Sequence, residues 1–271
     1  MNEITIEAGR AERQYWHDLW RYRELFYFLA WRDILVRYKQ TVIGIAWAVI
    51  RPLLTMMVLS FIFGKLAKMP SNGIPYPLLV FCGMLPWQFF ATAFSESGNS
   101  LVSNAGMISK VYFPRLVVPV SSVITSFVDF LISSVILAVM MVYYRYIPGS
   151  TICMLPVFIL LAFATAFGSG LWISALMVRY RDFRYIVPFV VQFGLYISPV
   201  AFRSSIVPEE WRLLYSLNPM VGVIDGFRWA ILGETNLYWP GFYISIGVVI
   251  LLIISGIWYF RKTERTFADV I

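Results

Sequence analysis

Histidine and cysteine are almost absent from this sequence. Its one histidine, His17, reads as a surface residue, and alone it builds neither a histidine-based metal centre nor a Ser-His triad. The two cysteines, Cys82 and Cys153, lie inside apolar runs, form no metal motif and say nothing of redox compartment. No G-x-x-x-x-G-K-S/T phosphate loop and no G-x-G-x-x-G fingerprint occurs, so the sequence offers no nucleotide site of its own. Charge is scarce at 14% of residues, against roughly 25% in soluble domains. Only one acid, Asp129, is central in an apolar stretch, fewer than a proton-coupled carrier or a membrane glycosyltransferase needs. The first 15 residues carry Glu3, Glu7, Arg10, Glu12 and Arg13 and have no apolar h-region, so no cleavable signal peptide is expected. Internal repeats and low-complexity tracts are also missing.

What fills the chain instead is apolar: 59% hydrophobic and 18% aromatic residues in 271. A soluble fold of this size could not hide that much apolar surface; a bilayer removes the problem. One membrane domain fits the length, with no room for an ATPase domain. Crossing the hydrocarbon core takes roughly 20 helical residues, and lipid-exposed backbone must be helical. Six stretches qualify: 41–63, 76–95, 113–143, 152–178, 185–202 and 240–260. The net charge of +7 lies between these runs and reads as a topology signal rather than a nucleic-acid patch. Fifteen of the 22 Lys and Arg residues fall on the side holding both ends, and six fall opposite. The excess puts both termini in the cytoplasm.

Two further segments are expected outside the spans. Residues 16–38 repeat Trp16, Leu19, Trp20, Phe26, Tyr27, Ala30, Trp31, Ile34 and Leu35 at helical spacing. That pattern predicts an amphipathic helix lying in the membrane interface or packed on the protein's own cytoplasmic side, two compatible arrangements. Residues 207–233 carry a Pro208-Glu209-Glu210 helix start, an Asn218-Pro219 break and a Gly233 stop, predicting an outer-side re-entrant hairpin between spans five and six. The fold class is therefore an all-α integral membrane protein with six transmembrane helices, an N-terminal amphipathic interface helix and a re-entrant helical hairpin.

The stretch from Tyr76 to Trp87, SNAGMISKVYFPR from Ser103 to Arg115, RYKQTVIGIAW from Arg37, VRYRDFRYIVP from Val178, and LNPM from Leu217 together resemble the permease subunits of polysaccharide-exporting ABC transporters, which carry O-antigen, teichoic acid or capsule glycans. The likeness runs in order along nearly the whole chain. It implies a non-enzymatic transport subunit of the bacterial inner membrane, a homodimer with two separate ATPase subunits that bind ATP and Mg. The implied cargo is a lipid-linked polysaccharide, commonly on an undecaprenyl pyrophosphate carrier, with membrane lipids as the other partner. A permease for drugs or small lipids, and a membrane enzyme of glycan or lipid synthesis, are the alternatives.

Four sets of residues receive roles. The resemblance implies that the loop at 95–112 docks on the ATPase through Asn104, Gly106, Met107, Ile108 and Lys110, with Asp18, Arg21 and Glu24 as a second contact. Arg37, Tyr38 and Lys39, at the membrane surface, offer cationic donors for a pyrophosphate or simply anchor topology. Trp47, Phe61, Trp87, Phe89, Phe90, Tyr196 and Phe202 offer flat faces for sugar C–H groups or pack against lipid and protein. Asp225 and Arg228, at i and i+3, form an outer gate or stiffen the hairpin. Arg51 should face the bundle or water, with Asp129 a possible partner, and Gly168-Ser169-Gly170 should allow close helix approach.

Overall fold

A computed structural model of the chain describes residues 12–39, 44–233, 237–264, 266 and 267. The expected first-span residues 41–43 and the terminal charges Glu3, Glu7, Arg10 and Arg265 lie outside them. The regular structure among the described residues is all helical, with no strand among them. Two helices, α1 (Glu12–Arg21) and α2 (Arg23–Lys39), precede α3 (Gly44–Leu59), which continues as a π-helical stretch over Ser60–Leu66. Then come α4 (Tyr76–Ser103), the single turn α5 (Ala105–Ile108), α6 (Val117–Tyr143), α7 (Leu155–Arg179), α8 (Phe183–Ile197), α9 (Glu209–Tyr215), α10 (Pro219–Leu232) and α11 (Trp239–Glu264).

Among the described residues five helices are long and apolar enough to cross a membrane: α3 with its π extension, α4, α6, α7 with the short 3-10 turn before it, and α11. The centre of the bundle is α4. Every residue from Leu78 to Trp87 is buried, which a helix tolerates only when apolar around its whole circumference. Around it pack α6, α7 and α10, and α11 backs onto α7. Small residues set that last spacing: a Cβ on Gly168 would stand 2.9 Å from the backbone of Leu252 and Ile253, and one on Gly256 2.6 Å from the Gly168 carbonyl. On the other side of α7, a Cβ on Gly170 would meet Ser97 Oγ of α4 at 2.8 Å.

The fifth expected span differs from its boundaries of 185–202. Helix α8 has 15 residues and stops at Ile197, about 22 Å of helix against a hydrocarbon core of about 30 Å. Its end has a local cause. Ser198 precedes Pro199, whose ring disfavours helical geometry in the residue before it, and Ser198 is extended at φ −77° and ψ 151°. Bare backbone at this depth must be satisfied by protein. Tyr215 Oη donates to the Ile197 carbonyl at 2.7 Å, and Tyr76 Oη to the Ala201 carbonyl at 2.6 Å. Arg228 of α10 donates to two more carbonyls of the segment, Val200 O at 2.7 Å and Phe202 O at 2.6 Å, and more loosely to Leu79 O of α4 at 3.4 Å.

The single amphipathic helix expected over 16–38 is two helices broken at Tyr22. Its apolar residues also divide between two faces. Leu19, Leu25, Phe26 and Leu29 pack inward on Leu101, Phe113, Leu116, Val117 and Phe260. Trp16 and Trp20 on α1, and Tyr27 and Trp31 on α2, stay exposed, each pair four residues apart on one face of its helix. One face of this segment thus docks on the ends of α4, α6 and α11, and the other presents aromatic rings outward. At the far end of the chain, Asn218 caps α10 by accepting from Met220 N at 3.1 Å, and Gly233 terminates it in the left-handed region at φ 59°.

Candidate functional site

A cavity of about 520 Å³ is framed by the end of α2 and by α3, α4, α6 and α8. Its floor is charged. Arg37 donates to Asp129 of α6 and, at 2.8 Å, to Glu96 of α4. Tyr38 Oη donates to the other oxygen of Asp129. Burial, and then the neighbouring Asp129 carboxylate, push the Tyr38 hydroxyl above its ordinary pKa, so it remains a donor at neutral pH. Arg51 lines the same cavity, so it does face bundle and water, but the anticipated partner differs: Asp129 is engaged by Arg37 and Tyr38. The reason is the crossing of α2 over α6, which brings the last turn of α2 onto the carboxylate.

Above the charged floor the walls are aromatic and polar. Trp47, Trp87 and Phe89 line them together with Gln88, Thr92, Ser126, Ser133 and Gln192. Trp87 fits because Gly194 of α8 has no side chain; a Cβ there would lie 2.5 Å from Trp87 Cη2. Of the aromatic set chosen from sequence, the structure brings together Trp47, Trp87 and Phe89. Phe90 lies behind them, stacked at 5.6 Å on Phe94. Phe61 and Tyr196 point outward and are exposed. Phe202 sits in the non-helical segment, where its carbonyl serves Arg228. Lys39 is exposed at the end of α2.

The connection between α4 and α6 is built on Asn104, which ends α4. Its side chain donates to Ser100 O at 2.8 Å and accepts from Arg32 Nη2 at 3.0 Å, tying α2 to the loop. Ile108 is buried and Met107 packs beside it against Leu101 and Phe113, so these two hold the turn α5 in place from below. Gly106 and Lys110 are exposed, as are Val111 and Tyr112 beyond them. On α1 and α2, Arg21 and Glu24 are exposed and Asp18 is partly covered. Among α9, α10 and the start of α11, Asp225 and Arg228 line a small cavity of about 120 Å³ with Arg203, Arg212 and Tyr215. Asp225 accepts from the Ser204 hydroxyl and feels the attraction of Arg228, whose guanidinium also donates to the carbonyls of Val200 and Phe202.

Comparison with known families places this architecture. The model of the ABC-2 type transporter membrane family matches residues 24–232, from the start of α2 to the end of α10. The chain belongs to the ABC-2 type transporter family. Two relatives from Klebsiella pneumoniae and Myxococcus xanthus, each named O-antigen export system permease protein RfbA, are 29% and 28% identical over 89% and 94% of this chain and 92% and 98% of their own length. The polysialic acid transport protein KpsM of Escherichia coli is 23% identical over 80% of this chain and 81% of its own length.

Every residue lining the 520 Å³ cavity lies inside the segment shared with the ABC-2 family. Sequence reading missed several of them. Glu96 sits in a polar stretch taken as loop, although it belongs to the last turns of α4. Gln88, Thr92, Ser126 and Gln192 carried one available signal, a polar side chain inside a span where lipid would penalise it. The bond of Arg32 to Asn104 joins residues 72 apart, a link no local pattern carries.

Proposed function

We propose that this chain is the membrane permease of an ATP-driven exporter that moves a lipid-linked polysaccharide from the cytoplasmic face outward. The observation carrying this reading is the composition of the cavity: cationic and phenolic donors at its cytoplasmic floor, aromatic faces and amides in its walls. A glycan on a lipid diphosphate has the matching parts, an anionic headgroup and sugar rings with apolar C–H faces. The names of the related permeases point the same way. Small amphiphilic drugs would have little use for the polar walls.

In this reading the cavity is half of a path. Its flanking helices α3 and α8 leave Trp47, Leu54, Val58, Phe61, Phe189 and Phe193 exposed. A second copy covers these residues, and the two cavities join. Two ATPase subunits bind ATP and Mg and engage the exposed side of the coupling loop at Gly106, Lys110, Val111 and Tyr112, together with Arg21 and Glu24. Arg37, Tyr38 and Lys39 receive the lipid pyrophosphate. The pair α9 and α10 forms a re-entrant outer hairpin, held by Arg228, that closes the exit of an inner-membrane protein with both termini in the cytoplasm.

Deletion of the permease in its native cell tests the reading. Full-length lipid-linked glycan accumulating on the cytoplasmic face is the expected result. Loss of the glycan itself would assign the chain to synthesis, and normal surface glycan would remove the proposal.

A further inference from the structure

The membrane cavity is one of two that meet at Arg37. A second, strongly polar cavity, also of about 520 Å³, opens on the cytoplasmic side between α2, α4 and α6 and is lined by Arg32, Asp33, Asn99, Ser103 and Asn104. Arg37 and Glu96 line both. The ion-pair cluster therefore stands where a polar passage from the cytoplasm would enter the membrane cavity.

We propose that Arg37, Asp129 and Glu96, with Tyr38, form a latch that closes this passage, and that an anionic diphosphate opens it by displacing the two carboxylates from Arg37. The proposal rests on the reading of Arg37, Tyr38 and Lys39 as headgroup donors given above. It adds that the unliganded site is occupied by the protein's own carboxylates.

Three observations carry it. First, each partner comes from a different helix, Arg37 from α2, Glu96 from α4 and Asp129 from α6, so the contact holds three elements together across 59 and 92 residues of chain. Second, the pairs are wet: the side chains of Arg37, Asp129 and Glu96 are 29%, 28% and 49% exposed. A pair that water already reaches is cheap to exchange, unlike a buried structural bridge. A diphosphate brings more charge and more acceptor oxygens to the guanidinium fork than a carboxylate does. Once it is seated, Asp129 and Glu96 face an anion, and like-charge repulsion drives them away from it. Third, the latch is wired to the coupling loop. Arg32, on the same helix as Arg37, donates to Asn104 at 3.0 Å. Movement of the loop moves α2 and with it the cation at the centre of the latch.

Cysteine accessibility reads the state of the passage. In a Cys82→Ala, Cys153→Ser background, Thr92→Cys places a thiol on the membrane side of the latch and Ser103→Cys places one on the cytoplasmic side. Inside-out vesicles holding the full chain are treated with a membrane-impermeant cationic thiosulfonate. The thiol at 103 should react quickly in every form and the thiol at 92 slowly. Combining Asp129→Asn with Glu96→Gln should speed the reaction at 92 by about tenfold or more, the factor expected for loss of a charge-assisted hydrogen bond. Arg37→Gln should do the same. Inorganic pyrophosphate should accelerate reaction at 92 in the unaltered latch and add nothing in Arg37→Gln. An unchanged rate at 92 in the carboxylate variants overturns the latch, as does a parallel change at 103, which would report general loosening. Faster reaction in those variants with no response to pyrophosphate keeps the latch and removes the headgroup reading on which its trigger rests.

Discussion

Replacing Arg228 with methionine is the sharpest probe of how the non-helical segment after α8 is held. The side chain is 3% exposed, and its guanidinium donates to Val200 O and Phe202 O at 2.7 and 2.6 Å. Methionine keeps most of the aliphatic volume, so the loss is electrostatic. Two carbonyls lose charge-assisted donors, stranding each costs about 1–3 kcal/mol, and the buried Asp225 loses a neighbouring positive charge. The neighbouring 120 Å³ cavity has room for water to replace part of the loss, which puts the expected cost near the lower end, about 2–3 kcal/mol. That corresponds to a fall in Tm of roughly 5–10 °C for a domain of this size. The chain carries its own reporter. Cys82 is fully buried and Cys153 exposed, so a Cys153→Ser protein becomes reactive to a thiol-sensitive dye only as the bundle opens. Gly83 supplies an internal check, because a Cβ there would stand 2.7 Å from Arg228 Nη2 and 2.9 Å from Val200 O. Gly83→Ala should destabilise through the same clamp, and the two changes together should cost less than their sum. An unchanged Tm for Arg228→Met, or strict additivity with Gly83→Ala, would refute the clamp.

Gly168→Val should cost about 2–3 kcal/mol by forcing α7 and α11 apart, whereas Gly106→Ala, with nothing within 4 Å of the new Cβ, should stay within about 0.5 kcal/mol in the same melting assay. Neutralising Arg37 and Lys39 to glutamine should impair export while the protein still inserts and assembles; full export from the double variant would remove both from headgroup binding. Tyr112→Ala, at a side chain 65% exposed beside the coupling turn, should weaken co-purification with the ATPase about tenfold, as loss of an aromatic anchor does. Undiminished recovery of the ATPase would move the contact elsewhere.

The helical, membrane-spanning character of the chain was legible because each span answers to a local rule. An apolar run of sufficient length is helical in lipid whatever its neighbours do. The start of α10 at Asn218-Pro219 and its stop at Gly233 follow equally from residues a few positions apart. The short α8 was legible in principle, since Ser198-Pro199 marks the break, but hydropathy alone ran on to residue 202. The site was legible only in part. Arg37, Tyr38, Trp47, Trp87 and Phe89 stood out by type and place, yet nothing in the sequence separated them from Phe61 or Tyr196, which point outward.

By itself, then, the sequence determined that the chain is an all-helical membrane protein and where α10 begins and stops, because partition into lipid and helix capping are settled over a few turns of chain. Tertiary structure alone decided that Asp129 takes Arg37 and Tyr38 rather than Arg51, that Glu96 joins them, and that Arg228 reaches the carbonyls of Val200 and Phe202. Those pairings depend on how helices distant in sequence cross, and the crossing is set by small residues such as Gly168, Gly194 and Gly83 acting against particular partners. A charged side chain announces that it needs a counter-charge; only the packed bundle says which one it can reach.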